Sequence, residues 1–274
     1  MSKEKKRKSS SDGQGDHLNN LFEPFICPIL KRLPGEPVLG PDGCVCDRDA
    51  LERARRDFPP DPEEGFVRYP QGHKISRHNR TLHPLPQVKE MIQKAFDDNI
   101  LKGRARREWL KDMKRIALIK EAENGTGEEM YWIGNYYYSG NDEFDFVHDK
   151  CKAAKWFQRS HEKDCAMGTA GLGSCFLRGD GVPKNAGIAL SLLALALHKG
   201  SDFATFELGS ACADENFYCR STSSAIFYLK LIADKKCEIE HMDVACYDAA
   251  KRLLIRLNNR RPIELIDLIP PARP

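Results

Sequence analysis

With 274 residues, 41% of them hydrophobic, the chain has material for two ordinary domains with a core in each, which excludes disorder throughout. Its charged residues, 30% of the total, nearly cancel to a net charge of +3, so no strong field is available to hold a nucleic-acid backbone. The longest apolar run, Ile188–Leu197, is about half the ~20 residues a bilayer requires, and no membrane partner is expected.

The first 20 residues read as a disordered basic and serine-rich arm. Lys3–Lys8 (KEKKRK) is followed by Ser9–Gly15, which has no apolar residue to bury. No stretch near the N-terminus resembles a signal peptide, so the expected location is the cytoplasm, with the nucleus as the alternative if the basic run acts as an import signal. In a reducing compartment the ten cysteines are expected to be thiols, and their irregular spacing gives no disulfide framework.

Residues 21–97 form the next segment. "FICPILKRLPGEPVLGPDGCVC" (25–46) holds three cysteines and no CxxC. Cys27, Cys44 and Cys46, with His73 and His78, supply zinc-ligand types but not the close pairs that a two-metal cross-brace needs. A single improvised zinc site is the weaker reading, and no cofactor is expected. The order of elements carries more. "FICPIL" opens a Pro-bounded loop; "EPVLGPDGCVCDRDAL" reads strand, Asp-Gly turn, strand and helix start, with Asp49 as N-cap. A long loop is expected through 59–73, and "LHPLPQVKEMIQKAF" (82–96) ends in an amphipathic helix.

"FICPI" (25–29), "EPV" (36–38), "DG" (42–43), "DRDAL" (47–51) and "LHPLPQVKEMI" (82–92), in that order, resemble a U-box, the metal-free relative of the RING finger. The resemblance implies a small α+β domain held by hydrogen bonds, ion pairs and a small apolar core where a RING uses zinc. It also implies recruitment of a ubiquitin-conjugating enzyme, without covalent chemistry by the domain itself. By position, the first loop would offer Pro28 and Ile29, the groove beside the first helix Ala54, and the second loop Pro70 with a basic residue that is either His73 or Lys74. Lys31 and Ala54 stand where apolar and large aromatic contacts are common in the family, and Leu85 replaces the usual asparagine.

Residues 98–125 are expected to link and cap through a helix near 104–123. Beyond them an internal repeat appears. "IGNYYYSG" (133–140), "LGSCFLRG" (172–179) and "LGSACADE" (208–215) superpose, and in the runs that follow Ala153, Ala189 and Ala225 fall at spacings of 36. Trp156, Leu192 and Tyr228 lie three residues further on. Each unit reads as a helix opening on an apolar residue plus glycine, then a second helix with one small-residue face, so each is a helical hairpin that buries its apolar face only by stacking. The product is an all-α solenoid over 126–258, with a cap near 243–257 and a tail from 259 to 274.

The middle unit, "GTAGLGSCFLRGDGVPKNAGIALSLLALALHKG" (168–200), resembles the Sel-one-like repeat, a relative of the tetratricopeptide repeat. In the first unit "NDEFDFVHD" (141–149) is three residues longer than the corresponding loop, and the third unit lacks the turn glycines. Gly171-Leu172-Gly173 sits inside a helical register and reads as packing, not as a phosphate loop. Trp132, Tyr136 and Tyr138 exceed what one core face requires; they are candidates for partner binding, with packing against helix 104–123 as the alternative.

The expectation is thus a multidomain chain, a small α+β U-box-like module followed by a helical-hairpin solenoid. It would act as a ubiquitin-protein ligase, with a conjugating enzyme and ubiquitin at the first module and a protein substrate on the solenoid. The second expectation is a non-catalytic scaffold with a degenerate U-box, which Lys31, Ala54 and Leu85 favour.

Overall fold

The computed structural model describes residues 22–40, 43–57, 66–68, 74–76, 82–214, 221–234 and 244–260. The chain divides into two compact units, Met1–Ala117 and Leu118–Pro274.

In the first unit β1 (Pro37–Leu39) pairs antiparallel with β2 (Val45–Asp47) across a turn in which Gly43 takes φ 81. β2 leads directly into α1 (Arg48–Asp57). The N-cap is Asp47 rather than the expected Asp49, because the carboxylate at the end of the extended strand is the one that accepts the Ala50 N–H, at 3.1 Å. The loop expected through 59–73 contains a strand, β3 (Phe66–Arg68), paired with β4 (Lys74–Ser76). β5 (His83–Pro84) then joins the free edge of β1, giving the sheet order β2-β1-β5. α2 (Pro86–Asp97) opens with proline at its first turn, where the missing N–H costs nothing.

Alternation sends Val38 inward and leaves Leu39 exposed. Val38, Cys27, Cys46, Ala50, Leu51 and Ala54 make one core cluster; Ile92 and Ala95 of α2 join Phe22, Leu33, Leu101 and Trp109 in another.

α3 (Gly103–Glu123) crosses from the first unit into the second, in the region expected to cap. Three hairpins follow: α4 (Gly127–Ser139) with α5 (Lys150–Glu162), α6 (Ala166–Arg178) with α7 (Ala186–His198), and α8 (Asp202–Ala213) with α9 (Thr222–Asp234). α10 (Val244–Arg260) covers the last of them. The second helices begin at 150, 186 and 222, so the spacing of 36 holds between hairpins. Each first helix packs on the next first helix, and each second helix on the following first helix, so the hairpins stack in two layers.

The same local devices recur in every hairpin. Asp149, Asn185 and Ser221 each precede a second helix and accept the N–H three residues on, at 2.9, 3.1 and 3.2 Å. Their own N–H groups donate to the carbonyls of Tyr137, Phe176 and Cys212, equivalent points of the preceding helices. The repeated alanines Ala153, Ala189 and Ala225 are fully buried.

Gly134, Gly173 and Gly209 lie in the middle of their helices, not at the openings expected from sequence; the helices start seven residues earlier. Their role is close approach. A Cβ at Gly134 would stand 2.7 Å from the Phe157 ring, at Gly173 2.9 Å from Leu193 Cγ, and at Gly209 2.9 Å from Leu229 Cγ. Phe157, Leu193 and Leu229 are themselves spaced by 36, so one seam is built three times. Gly171 serves the same purpose between hairpins: a Cβ there would stand 2.9 Å from the Phe157 ring.

Gly173→Leu should therefore overpack the central seam and destabilise the chain by about 1–3 kcal/mol or more. Thermal and urea unfolding measure this; a variant that melts with the parent would contradict the seam.

Candidate functional site

The residues singled out on the solenoid lie on α4. Thr126 starts that helix with a capping box, its hydroxyl accepting the Glu129 N–H while the Glu129 carboxylate accepts the Thr126 N–H. The register sends Ile133, Gly134 and Tyr137 inward and leaves Trp132 41% exposed, edge-on to Tyr131 with ring centres 5.4 Å apart.

Tyr136 and Tyr138 are half-buried, and neither has the role of a fully presented side chain. The longer first loop accounts for Tyr136: Phe144 and Phe146 of that loop stack on its ring at 5.8 and 5.3 Å. Tyr138 reaches into the next hairpin, where its hydroxyl donates to Asp180 Oδ2 at 2.8 Å. Lys150 Nζ donates to Asp180 Oδ1 at 2.6 Å. Burial alone would raise the Asp180 carboxyl; the hydrogen bonds from Lys150 and Tyr138, with the charges of Lys150 and Arg178, hold it below the usual aspartate range. Burial, then the bond to Asp180, pushes the Tyr138 hydroxyl up to about 12.

Asp180 belongs to the "GDGVPKN" loop, and the glycines around it are required by geometry. Gly179 and Gly181 have φ 80 and 73, and a Cβ at Gly181 would stand 2.1 Å from the Lys150 carbonyl oxygen. The loop of the second hairpin is thus pressed onto the start of α5.

One hairpin further, Arg178 Nη2 reaches both oxygens of Glu207 at 2.8 Å, and Arg178 also donates to Ser174. Glu207 is 2% exposed; burial pushes its carboxyl up, and the Arg178 charge opposes that shift. Sequence reasoning missed this pair, because the two residues are 29 apart and fall outside the repeated core positions.

In the N-terminal unit the loop after the 3-10 turn Glu23–Phe25 closes through the Cys27 N–H to the Arg32 carbonyl, at 2.9 Å. The fully buried Cys27 sulfur is its hub. The thiol is lowered to about 7 by a hydrogen bond with Cys46, against burial, with further help from the N–H groups of Asp47, Leu30 and Ile29. Asp47, 2% exposed, ties the hairpin to the loop by accepting the Gly35 and Glu36 N–H groups at 3.1 and 3.3 Å.

Pro28 is half-buried, and Lys31 is exposed at the loop tip with φ 58. Ile29 is half-buried and packs on the core cluster. Ala54, at 4% exposure, belongs to the core cluster with Cys27 and Val38. Pro70, His73 and Lys74 carry no described side chains, and the His78 position also lies outside the described residues. Among the described residues, no three His, Cys, Asp or Glu side chains converge as metal ligands, and no helix is long and apolar enough to cross a membrane.

The chain is similar to solved Sel1-repeat structures. Over 53% of its length it matches 29% of c5321, a protective antigen of uropathogenic Escherichia coli displaying an SLR fold, at 19% identity and a TM-score of 0.38. Over 52% it matches 96% of a Sel1 repeat protein from Oxalobacter formigenes, at 20% identity and a TM-score of 0.37. The chain thus spans less than a third of the Escherichia coli protein. No family model and no curated protein matches the chain. The stacked-hairpin assignment stands on the chain's own seams, caps and helix order.

Tyr138→Phe should cost about 1–2 kcal/mol near pH 7, as expected for a bond to a charged acceptor that keeps its Lys150 partner. A carboxyl depressed in the folded state stabilises above its unfolded value and loses that contribution as pH falls through the folded value. The deficit of Tyr138→Phe should accordingly shrink on acidification. Unfolding free energies measured between about pH 7 and pH 3 test this; a pH-independent deficit, or none, would contradict the pairing.

Proposed function

We propose that the chain is a protein-interaction adaptor, with the hairpin stack as its main binding element and the N-terminal unit as a second platform. The observation that carries this reading is a contrast within the repeat. The buried positions repeat, as Ala153/Ala189/Ala225 and Gly134/Gly173/Gly209 do, while the surface positions do not. Lys155, Ser191 and Phe227 are equivalent and all exposed, yet carry a positive charge, a hydroxyl and an aromatic ring. A constant interior under a varied surface suits a scaffold whose specificity lies in its faces. The exposed Trp132 adds a side chain of the type enriched at protein interfaces.

A second reading, a ubiquitin ligase that brings a loaded conjugating enzyme to a substrate held by the solenoid, is favoured by the N-terminal unit. Its order of hairpin, helix, edge strand and helix, tied by the Asp47 and Cys27 hydrogen bonds, agrees with the U-box resemblance. In that reading Pro28, Ile29 and Lys31, with Pro70 and His73 or Lys74, would meet the enzyme, and the gain would be proximity and orientation. The burial of Ala54 and the inward packing of Ile29 leave that surface with less to offer. The adaptor reading takes precedence for that reason.

Ubiquitin-transfer assays of the full chain against a panel of conjugating enzymes separate the two. The adaptor reading predicts no chain formation above background with any enzyme. Chains made by the parent, and lost in an Ile29→Ala variant that circular dichroism shows to be folded, would replace it with the ligase.

A further inference from the structure

The first unit gathers three cysteines into one small core. Cys27 and Cys46 are 0% and 1% exposed, and the half-buried Cys44, two residues before Cys46, packs on the same cluster. The backbone brings the first two together. The Asp47 N–H donates to Cys27 Sγ at 3.2 Å, and its nitrogen is bonded to the carbonyl carbon of Cys46, so the Cys27 sulfur lies against the Cys46 backbone. Alternation along β2 turns Cys46 inward, opposite Val38 of β1, and its side chain is hydrogen-bonded with the Cys27 thiol. Two buried thiols in contact, one on the first loop and one on β2, meet the first requirement of a disulfide.

Burial alone does not make a thiol reactive. Cys175 is as fully buried as Cys27, yet burial and then the Asp180 charge push it up to about 12, which keeps it protonated and inert. At Cys27 the hydrogen bonds outweigh burial: Cys46 first, then the N–H groups of Asp47, Leu30 and Ile29, hold the thiol at about 7. A large share of it is therefore thiolate near neutral pH, the form that peroxides oxidise. The Asp47 carboxylate beside the pair is turned to the N–H groups of Gly35, Glu36 and Ala50.

We propose that Cys27 and Cys46 are a peroxide-oxidised thiol pair, joined on oxidation by a reversible disulfide that ties the loop 27–32 to β2. The inference goes beyond the adaptor reading and does not depend on it. The Cys27 sulfur attacks hydrogen peroxide; the O–O bond breaks, a sulfenic acid forms on Cys27, and one water leaves with the thiol proton. The Cys46 sulfur then attacks the sulfenic sulfur, the S–O bond breaks, and a second water leaves with the Cys46 proton. Two thiols are oxidised to one disulfide, and one peroxide is reduced to two waters. Cys27 reacts first because its thiol is the one held down, and Cys46 resolves because it is already in contact. Size selects the oxidant. Peroxide is close to water in size and enters on small movements of the half-buried Pro28, Ile29 and Leu30, whereas a peptide disulfide such as oxidised glutathione needs the core opened.

The test uses the full chain, reduced and folded, treated with hydrogen peroxide in the absence of other thiols. Remaining thiols are then alkylated and the peptides of a non-reducing digest weighed. A peptide pair linked through Cys27 and Cys46 should appear, lighter by two hydrogen atoms than the reduced pair, and dithiothreitol should restore both thiols. Cys27 should lose its reduced form at least about tenfold faster than Cys175. Oxidised glutathione in place of peroxide should form the same link at least about tenfold more slowly. Cys46→Ala should leave Cys27 as a sulfenic acid that dimedone captures, whereas Cys44→Ala should form the link as the parent does. The map of the parent needs no variant, so a core substitution that fails to fold does not shelter the inference. No Cys27–Cys46 link in the parent, a link from Cys27 to Cys44 in its place, a link seen only in urea, equal oxidation of Cys27 and Cys175, or oxidised glutathione acting as fast as peroxide would each overturn it.

Discussion

The second unit depends on one contact made three times: a helix backbone, bare at a glycine, against a bulky side chain of its hairpin partner. At Gly134, Gly173 and Gly209 the facing residues Phe157, Leu193 and Leu229 come closer than any Cβ would permit. The approach sets the spacing within each hairpin. That spacing in turn lets Ala153, Ala189 and Ala225 vanish into the interior, and lets each second helix lie against the next first helix. Glycine in mid-helix costs roughly 1 kcal/mol against alanine, so its presence at all three places is explained by packing and not by helix preference.

Polar contacts then fix one hairpin against the next. The caps Asp149, Asn185 and Ser221 satisfy helix starts that would otherwise leave N–H groups unpaired. Asp180 carries the loop of the second hairpin onto Tyr138 and Lys150 of the first, and Arg178 carries α6 onto the buried Glu207 of α8. Apolar packing supplies the attraction, and these bonds restrict the hairpins to one register. In the first unit Asp47 plays the corresponding part, with one buried carboxylate accepting N–H groups from the loop, the hairpin and α1.

The stack was legible in the sequence because its buried positions recur at a fixed interval, and a period survives wherever packing repeats. What was misread follows from the same logic. The Ile-Gly and Leu-Gly pairs look like helix starts, yet the starts are set by Thr126, Cys165 and Ser201, three different residues with no common signature. The extra length of 141–149 was visible, but not that its Phe144 and Phe146 would cover Tyr136, since that depends on how the loop folds back. Asp47 and Asp49 are equally good caps by composition; the extended backbone at the end of β2 decides between them. Tyr138 meets Asp180 across 42 residues through a left-handed turn, which no local pattern announces. The N-terminal unit was legible as an order of elements, whereas the inward packing of Ile29 and Ala54 needed the core to be seen.

The adaptor account thus places a rigid repeated interior beneath surfaces free to differ, and its physical premise is the glycine seam. A double-mutant cycle between Gly173→Ala and Leu193→Ala tests that premise most directly. With Leu193 in place the added methyl has no room, and Gly173→Ala should destabilise the chain. With Leu193→Ala the two shortest contacts are removed and only the Ala189 carbonyl oxygen remains close, at 3.3 Å, so the same change should destabilise far less, giving a coupling of at least about 1 kcal/mol in urea unfolding. Gly173→Ala changing the stability of both backgrounds by the same amount would contradict the account.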